Sequence, residues 1–403
     1  MNLIKAVHLT LVFAFAFQAD AATIAGPLPL AKPEAAGMSP ERLDRISHWL
    51  TGVVERKEAA GFVTLVARHG KIVQHQAYGR MGLDVAARMP TDAVFDLASM
   101  TKPIVVTAAL AQLEEGHFTL NDPISMYLPE FKQARVEALP GSMVAARNPI
   151  RVLNLFTHTS GVHIPWPRPE YLSFGTLAAH MHKLAALPLY FEPGSTWHYG
   201  SSHEVLGYLV QQIAGAPLER HIQEKILTPL GMSDTHYWPP AEKDKRRAML
   251  VVNGKNDPTS SSRVSPAAAK AKTYAGGQSG LYSTAADYWR FSQMLLNGGT
   301  FNGHRILGPK TIAWMAQNHI GELKSFKTPG TRFGLGMAVV TDTAASGLPY
   351  SPGTYYWGGS QGTVFWIDPA EDLIGILMVQ LTPSRLSLRE KFSALVYSSI
   401  IER

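Results

Sequence analysis

Ser99-Met100-Thr101-Lys102 puts a hydroxyl and an amine three residues apart, where the extended run Val94-Phe95-Asp96-Leu97-Ala98 gives way to a helical pattern. Residues i and i+3 of a helix share a face, so the Lys102 amine reaches the Ser99 hydroxyl. Burial readily neutralises a lysine, and a neutral amine can take a proton from serine. The chemistry on offer is nucleophilic attack by Ser99 with Lys102 handling the proton. S-x-x-K alone also describes an ordinary helix start capped by serine, so the rest of the chain has to decide.

Two further segments carry the decision. Tyr199-Gly200-Ser201 follows Phe191-Glu192-Pro193-Gly194 and precedes the helical run Glu204-Val205-Leu206-Gly207-Tyr208, and Trp357-Gly358-Gly359-Ser360 stands directly before an apolar strand. Between them lie Leu155-Phe156-Thr157-His158-Thr159-Ser160-Gly161, Pro229-Leu230-Gly231-Met232-Ser233-Asp234-Thr235 and Gly280-Leu281-Tyr282-Ser283-Thr284-Ala285-Ala286-Asp287. In this order the segments resemble the serine β-lactamase-related hydrolases: class C β-lactamases, D-alanyl-D-alanine peptidases and family VIII carboxylesterases. The resemblance spans nearly all of the chain after its first residues. It implies Ser99 as acylated nucleophile, Lys102 as holder of the proton network, and Tyr199 as general base and then acid. A tyrosine near its ordinary pKa of about 10 is a poor base at neutral pH, and a neighbouring lysine charge would lower it. The oxyanion would be held by the backbone N–H groups of Ser99, at a helix start, and of Ser360, at a strand edge. Gly358 and Gly359 let substrate approach the backbone.

The chain departs from the lactamases at two places. Their third motif is usually Lys-Thr-Gly, whose lysine helps bind a carboxylate; here it is Trp357-Gly358-Gly359, the form typical of family VIII esterases. Two residues after the tyrosine, where Asn is usual, stands Ser201. Both changes remove groups that recognise a carboxylate or amide. They predict a neutral, aromatic-walled pocket for an uncharged ester, with Ser201, Trp357, Gly358 and Gly359 as substrate contacts and no metal or cofactor. The alternatives are a β-lactamase or D-amino-acid peptidase with an unusual third motif, and a non-catalytic penicillin-recognition protein. Trp166, Tyr171, Phe174, Tyr274, Tyr355 and Tyr356 are candidates for the cleft wall or for plain packing.

Gly358-Gly359-Ser360-Gln361-Gly362 also fits the nucleophile-elbow pattern G-x-S-x-G. That arrangement needs Asp and then His downstream, and no histidine follows His319. His180-Met181-His182 and His198 with His203 lack metal-ligand spacing, and Asp287 with Arg290 reads as an i, i+3 helix pair.

These residues must be positioned by a fold with strands at both ends. Ser39-Pro40-Glu41 opens a helix whose apolar residues Leu43, Ile46, Leu50, Val53 and Val54 recur at helical spacing. Phe62–Arg68 and Lys71–Tyr78 read as a hairpin. The chain from Lys102 to about Leu230 reads as mainly helical. Asn253–Lys272 reads as a surface loop, Ala285–Leu296 as a helix, Thr363–Ile367 and Leu373–Leu381 as strands, and Ser387–Ile401 as a closing helix. The expectation is an α/β (α+β) fold with an antiparallel sheet built from both termini. Its α/β region comprises residues 22–103 and 285–403, and an inserted, mainly helical region comprises 104–284.

Residues 1–21 read as a secretory signal, with Lys5, the apolar stretch Leu9–Phe17 and the Ala19-Asp20-Ala21 cleavage pattern, which implies a periplasmic or secreted protein of residues 22–403. The stretch is too short to span a bilayer, and no later one approaches a span. There is no cysteine, which excludes disulfides and a lipoprotein anchor, so the core alone must hold the fold. The net charge is +6 but the basic residues are dispersed, and the densest cluster, 242–247, is mixed in sign. A small-molecule substrate is expected rather than nucleic acid; the sequence is silent on oligomeric state.

Overall fold

The computed structural model describes residues 26–402 apart from 140, 164–174, 258–270, 326–327 and 385. The expected signal, the loop aromatics Trp166, Tyr171 and Phe174, and most of the 253–272 loop lie outside the described residues.

Helix α1 (Pro40–Glu55) starts where Ser39 Oγ accepts from the Arg42 N–H, with proline at its first position, as an N-cap requires. The hairpin β1 (Gly61–Arg68) and β2 (Lys71–Gly79) follows. Five later strands complete the sheet: β3 (Thr331–Phe333), β4 (Ala338–Val340), β5 (Tyr355–Gly358), β6 (Val364–Asp368) and β7 (Leu373–Met378). The seven strands run β3-β4-β5-β6-β7-β1-β2, antiparallel throughout. The two ends of the chain therefore meet at β7 and β1, both buried along their whole length. Strands buried on both faces read as continuous apolar runs, and these do.

Successive residues of a strand point to opposite faces, and β6 shows where the covering helices sit. Phe365 meets Tyr288 of the helix Ala285–Leu296 on one face, with ring centroids 4.9 Å apart, and Trp366 meets Phe392 of the helix Leu388–Ser398 on the other at 5.1 Å. Gly375, paired with Trp366 across β7, makes room for that ring: a Cβ there would lie 2.2 Å from it.

The inserted region is not wholly helical. Arg135–Leu139 and Ser142–Ala145 form a hairpin, as do Leu250–Val252 and Lys255–Asp257. Its centre is helix α2 (Thr101–Glu114), buried on nearly every face, packed against α3 (Ser202–Ala214). Among the described residues no helix is long and apolar enough to cross a membrane.

Candidate active site

Ser99 stands at the base of a tight corner. Phe95–Asp96 pairs antiparallel with Tyr282–Ser283, and the Leu97 N–H donates to Leu281 O at 2.9 Å. The chain then turns through Ala98, at φ 45°, a left-handed conformation that costs a residue with a Cβ about 1–2 kcal/mol. The Asp96 carboxylate steadies this turn by accepting from the Ala98 N–H at 2.7 Å. A single 3₁₀ turn, Ala98–Met100, leads into α2. Pro103 in the first turn removes an N–H that has no helical partner there.

The corner brings together three of the expected residues. Lys102 Nζ lies 3.1 Å and Tyr199 Oη 2.8 Å from Ser99 Oγ. Lys102 is 1% exposed and sits over the Tyr199 ring, 4.9 Å from its centroid. Its ammonium also donates to Gln278 O at 2.8 Å. Gln278 reaches that place because α3 and the 276–278 segment touch backbone to backbone; a Cβ on Gly277 would fall 2.1 Å from His203 O and 2.9 Å from Gly207 Cα. Glu204, buried in α3, holds the same segment by accepting from the Gln278 N–H at 2.9 Å and from Tyr274 Oη.

Around Lys102 and Tyr199 the protein packs neutral rings. His158 is completely buried, with its ring 4.7 Å from Tyr199 and 4.2 Å from His203. Burial, and then the His203, Lys102 and His198 charges, hold its pKa well below the ordinary value. Burial takes His203 down to about 3, with Lys102 adding to the effect. His203 Nε2–H donates to Phe156 O at 3.2 Å, which fixes its tautomer. His180, within 2.5 Å of Tyr274 Oη, is likewise lowered to about 3 by burial. Its 3.9 Å approach to Glu204 is therefore a dipolar contact and not an ion pair.

On the opposite side of Ser99, β5 ends in Gly358-Gly359-Ser360. Gly359 accepts no side chain: a Cβ would meet Thr363 Oγ1 at 2.3 Å and Leu97 O at 2.6 Å. Ser99, Tyr199, Thr328, Tyr356, Trp357, Gly358, Gly359, Ser360 and Arg389 line one cleft of about 310 Å³. Trp357 packs between Tyr199 and Phe333, with centroids at 5.6 and 5.4 Å. A hydroxyl in contact with an amine and a phenol, facing a strand edge across a small cleft, has the parts for acyl transfer.

Several expectations need correction. The cleft is not neutral: Arg389, from the last helix, joins its wall with its guanidinium 4.6 Å from the Tyr356 centroid, beside Glu390 at 3.0 Å. No signal in the sequence ties Arg389 to Ser99, because it lies far along the chain and arrives only through packing of the last helix. Ser201 is buried at the start of α3 and is not among the residues that line the cleft. All three described candidate aromatics are buried, and of them Tyr356 lines the cleft, whereas Tyr274 and Tyr355 do not. Asp287 and Arg290 lie i, i+3 on one helix and interact electrostatically, but both are buried and bond elsewhere: Asp287 accepts from the Asp234 N–H at 2.7 Å and Thr235 Oγ1 at 2.9 Å, and Arg290 donates to Gly26 O at 3.0 Å.

With this geometry in place, the comparison with known proteins is direct. A family profile described as Beta-lactamase matches residues 46–396. The chain belongs to this family of serine hydrolases and has the serine β-lactamase and penicillin-binding-protein fold, with family VIII esterases among its relatives. It is 35% identical over 350 residues to an uncharacterized protein of Mycobacterium tuberculosis, across 80% of this chain and 86% of that one. Esterase EstB of Burkholderia gladioli is 29% identical over 81% of this chain and 87% of its own length. Among solved structures, EstCE1, described as a hydrolase with promiscuous acyltransferase activity, superposes with TM-score 0.78 at 25% identity, covering 90% of this chain and 99% of that one.

Proposed function

We propose that the protein is an exported serine carboxylesterase that forms an acyl-enzyme on Ser99. The observation that carries this reading is the pair of contacts on Ser99 Oγ, 2.8 Å from Tyr199 Oη and 3.1 Å from Lys102 Nζ, inside a cleft whose third-motif position is Trp357. The contact between two hydroxyls works in either direction. With Lys102 favouring the phenolate, Tyr199 accepts the Ser99 proton as Oγ attacks the ester carbonyl. The proton then passes to the leaving alcohol, and water repeats the sequence on the acyl-enzyme. The N–H groups of Ser99 and Ser360 receive the oxyanion. The relative named as an esterase, EstB, supports the ester as substrate class.

A second reading, a β-lactamase or D-amino-acid peptidase, is favoured by one observation: Arg389 gives the cleft a cation that an anionic substrate could meet. Comparing kcat/KM for a chromogenic short-chain ester and a chromogenic cephalosporin separates the two. The ester should be turned over much faster; the reverse order replaces the esterase reading by the second. Ser99→Ala should abolish turnover and labelling by a fluorophosphonate, whereas Ser360→Ala, which keeps its backbone N–H, should still be labelled. An adduct on Ser360 in the intact-mass spectrum would overturn the assignment. Export is tested by assaying the periplasm and medium for a chain lacking residues 1–21.

A further inference from the structure

The two N–H groups proposed to hold the oxyanion come from segments more than 250 residues apart in sequence, and a donor misplaced by an ångström loses most of its value. Behind them lies a closed lattice of buried polar groups. The Asp96 carboxylate accepts from the Ala98 N–H, immediately before Ser99, through Oδ1 at 2.7 Å, and from Gln361 Nε2, immediately after Ser360, through Oδ2 at 3.1 Å. Gln361 O accepts from the Leu381 N–H at 2.8 Å, and the neighbouring Gln380 side chain donates to Asp96 O at 3.1 Å. Asp96, Gln361 and Gln380 are each only 5% exposed. The two segments also touch at Gly359, where an added Cβ would meet Leu97 O at 2.6 Å and Ala98 Cβ at 3.4 Å.

Resting on the oxyanion assignment above, we propose that Asp96 and Gln361 are positioning residues that clamp the Ser99 and Ser360 backbones at the separation an oxyanion requires. A buried carboxylate suits the task because it accepts from both sides at once, and in low dielectric each such bond is stiff. The first bond holds Ala98 in its left-handed turn; the second ties the tip beyond β5 to that turn. Neither side chain lines the cleft, so the clamp acts on geometry and not on substrate.

The test is the rate of fluorophosphonate labelling at Ser99, per titrated active site, in the full chain and four variants, with Tm recorded for each. Labelling develops charge on the P=O oxygen and so reads the oxyanion donors whatever the natural substrate is. Gln361→Leu, which removes only the bridge, should slow labelling about 10- to 100-fold and lower kcat for a chromogenic ester with KM nearly unchanged. Asp96→Ala should lose at least as much, and adding Gln361→Leu to it should cost little more. Asp96→Asn should restore labelling: its oxygen still accepts from Ala98, and its amide can donate to Gln361 Oε1, which has no partner among the described residues. Wild-type labelling in Gln361→Leu, or a loss that simply follows Tm, overturns the clamp while Ser99 stands. So does an Asp96→Asn variant no better than Asp96→Ala. A wild-type chain that is not labelled at Ser99 overturns the functional reading and the clamp with it.

Discussion

The two sides of Ser99 are built on opposite principles. On the helical side stand Lys102 and Tyr199, backed by the buried rings of His158 and His203. Titratable groups are packed there at close range, and burial keeps both histidines neutral. In the proposed mechanism this neutral backing favours proton exchange among the Lys102 amine, the Tyr199 phenol and Ser99. On the sheet side nothing needs to titrate. A strand end is instead pinned to the Ser99 corner by fixed hydrogen bonds and by a glycine that tolerates no Cβ. On the proposed mechanism one side governs where protons go and the other where an oxygen sits, so damage to each should look different.

The largest effects come from breaking either side outright. Tyr199→Phe keeps the ring packing and deletes the proton relay. The expected loss in ester kcat is about 10²- to 10⁴-fold, with a changed pH–rate profile. Gly359→Ala pushes β5 away from Leu97 and should cost about 10²-fold in kcat while leaving the shape of that profile intact. Identical pH profiles in both variants would erase the distinction between the two sides.

A smaller effect concerns the cleft wall. Trp357→Lys places a second cation near Arg389, and a charge-assisted hydrogen bond to a substrate carboxylate contributes about 1.5–3 kcal/mol. The ratio of kcat/KM for a cephalosporin to that for a neutral ester should rise about tenfold or more, and Arg389→Gln should move it the other way. An Arg389→Gln variant with an unchanged ratio would remove the guanidinium from substrate recognition.

Two further effects bear on stability and not on turnover, and they run in opposite directions with pH. His203 has a folded pKa of about 3, depressed by burial, so its contribution is complete above the unfolded value of about 6.5 and is lost as pH falls. His203→Gln should therefore flatten the acid decline of Tm between pH 6.5 and 3. Asp287 is raised by burial to about 6. Its contribution is present below about 3.8 and lost as pH rises through 6, a penalty of about 3 kcal/mol at neutral pH. Asp287→Asn should thus gain Tm relative to wild type at pH 7 and not at pH 4. Thermal melts across this range check both.

The sequence by itself determined the elements with strong local signals. Ser39-Pro40-Glu41 fixed the start of α1, and the apolar runs gave the hairpin and the strands β6 and β7. Ala285–Leu296 has the same limits in pattern and structure. The i, i+3 spacing of Ser99 and Lys102 also needed no partner elsewhere in the chain. What escaped were elements defined by their neighbours. Thr331–Phe333 and Ala338–Val340 are three-residue strands, too short to show a period of two, and they exist because β5 offers an edge to β4 and β4 offers one to β3. The two extra hairpins lie in stretches whose composition suits loops equally well. The site divides along the same line. Tyr199 and Ser360 were legible as motif residues, but the Ser360 segment nears Ser99 only because Gly359 lets two backbones touch, as Gly277 does where Gln278 meets Lys102. Arg389, Gln278 and the Asp96–Gln361 bond carry no local pattern at all. Hydrogen bonds and packing between residues hundreds of positions apart are decided only when the sheet closes between β7 and β1, because only closure fixes the distances on which those interactions depend.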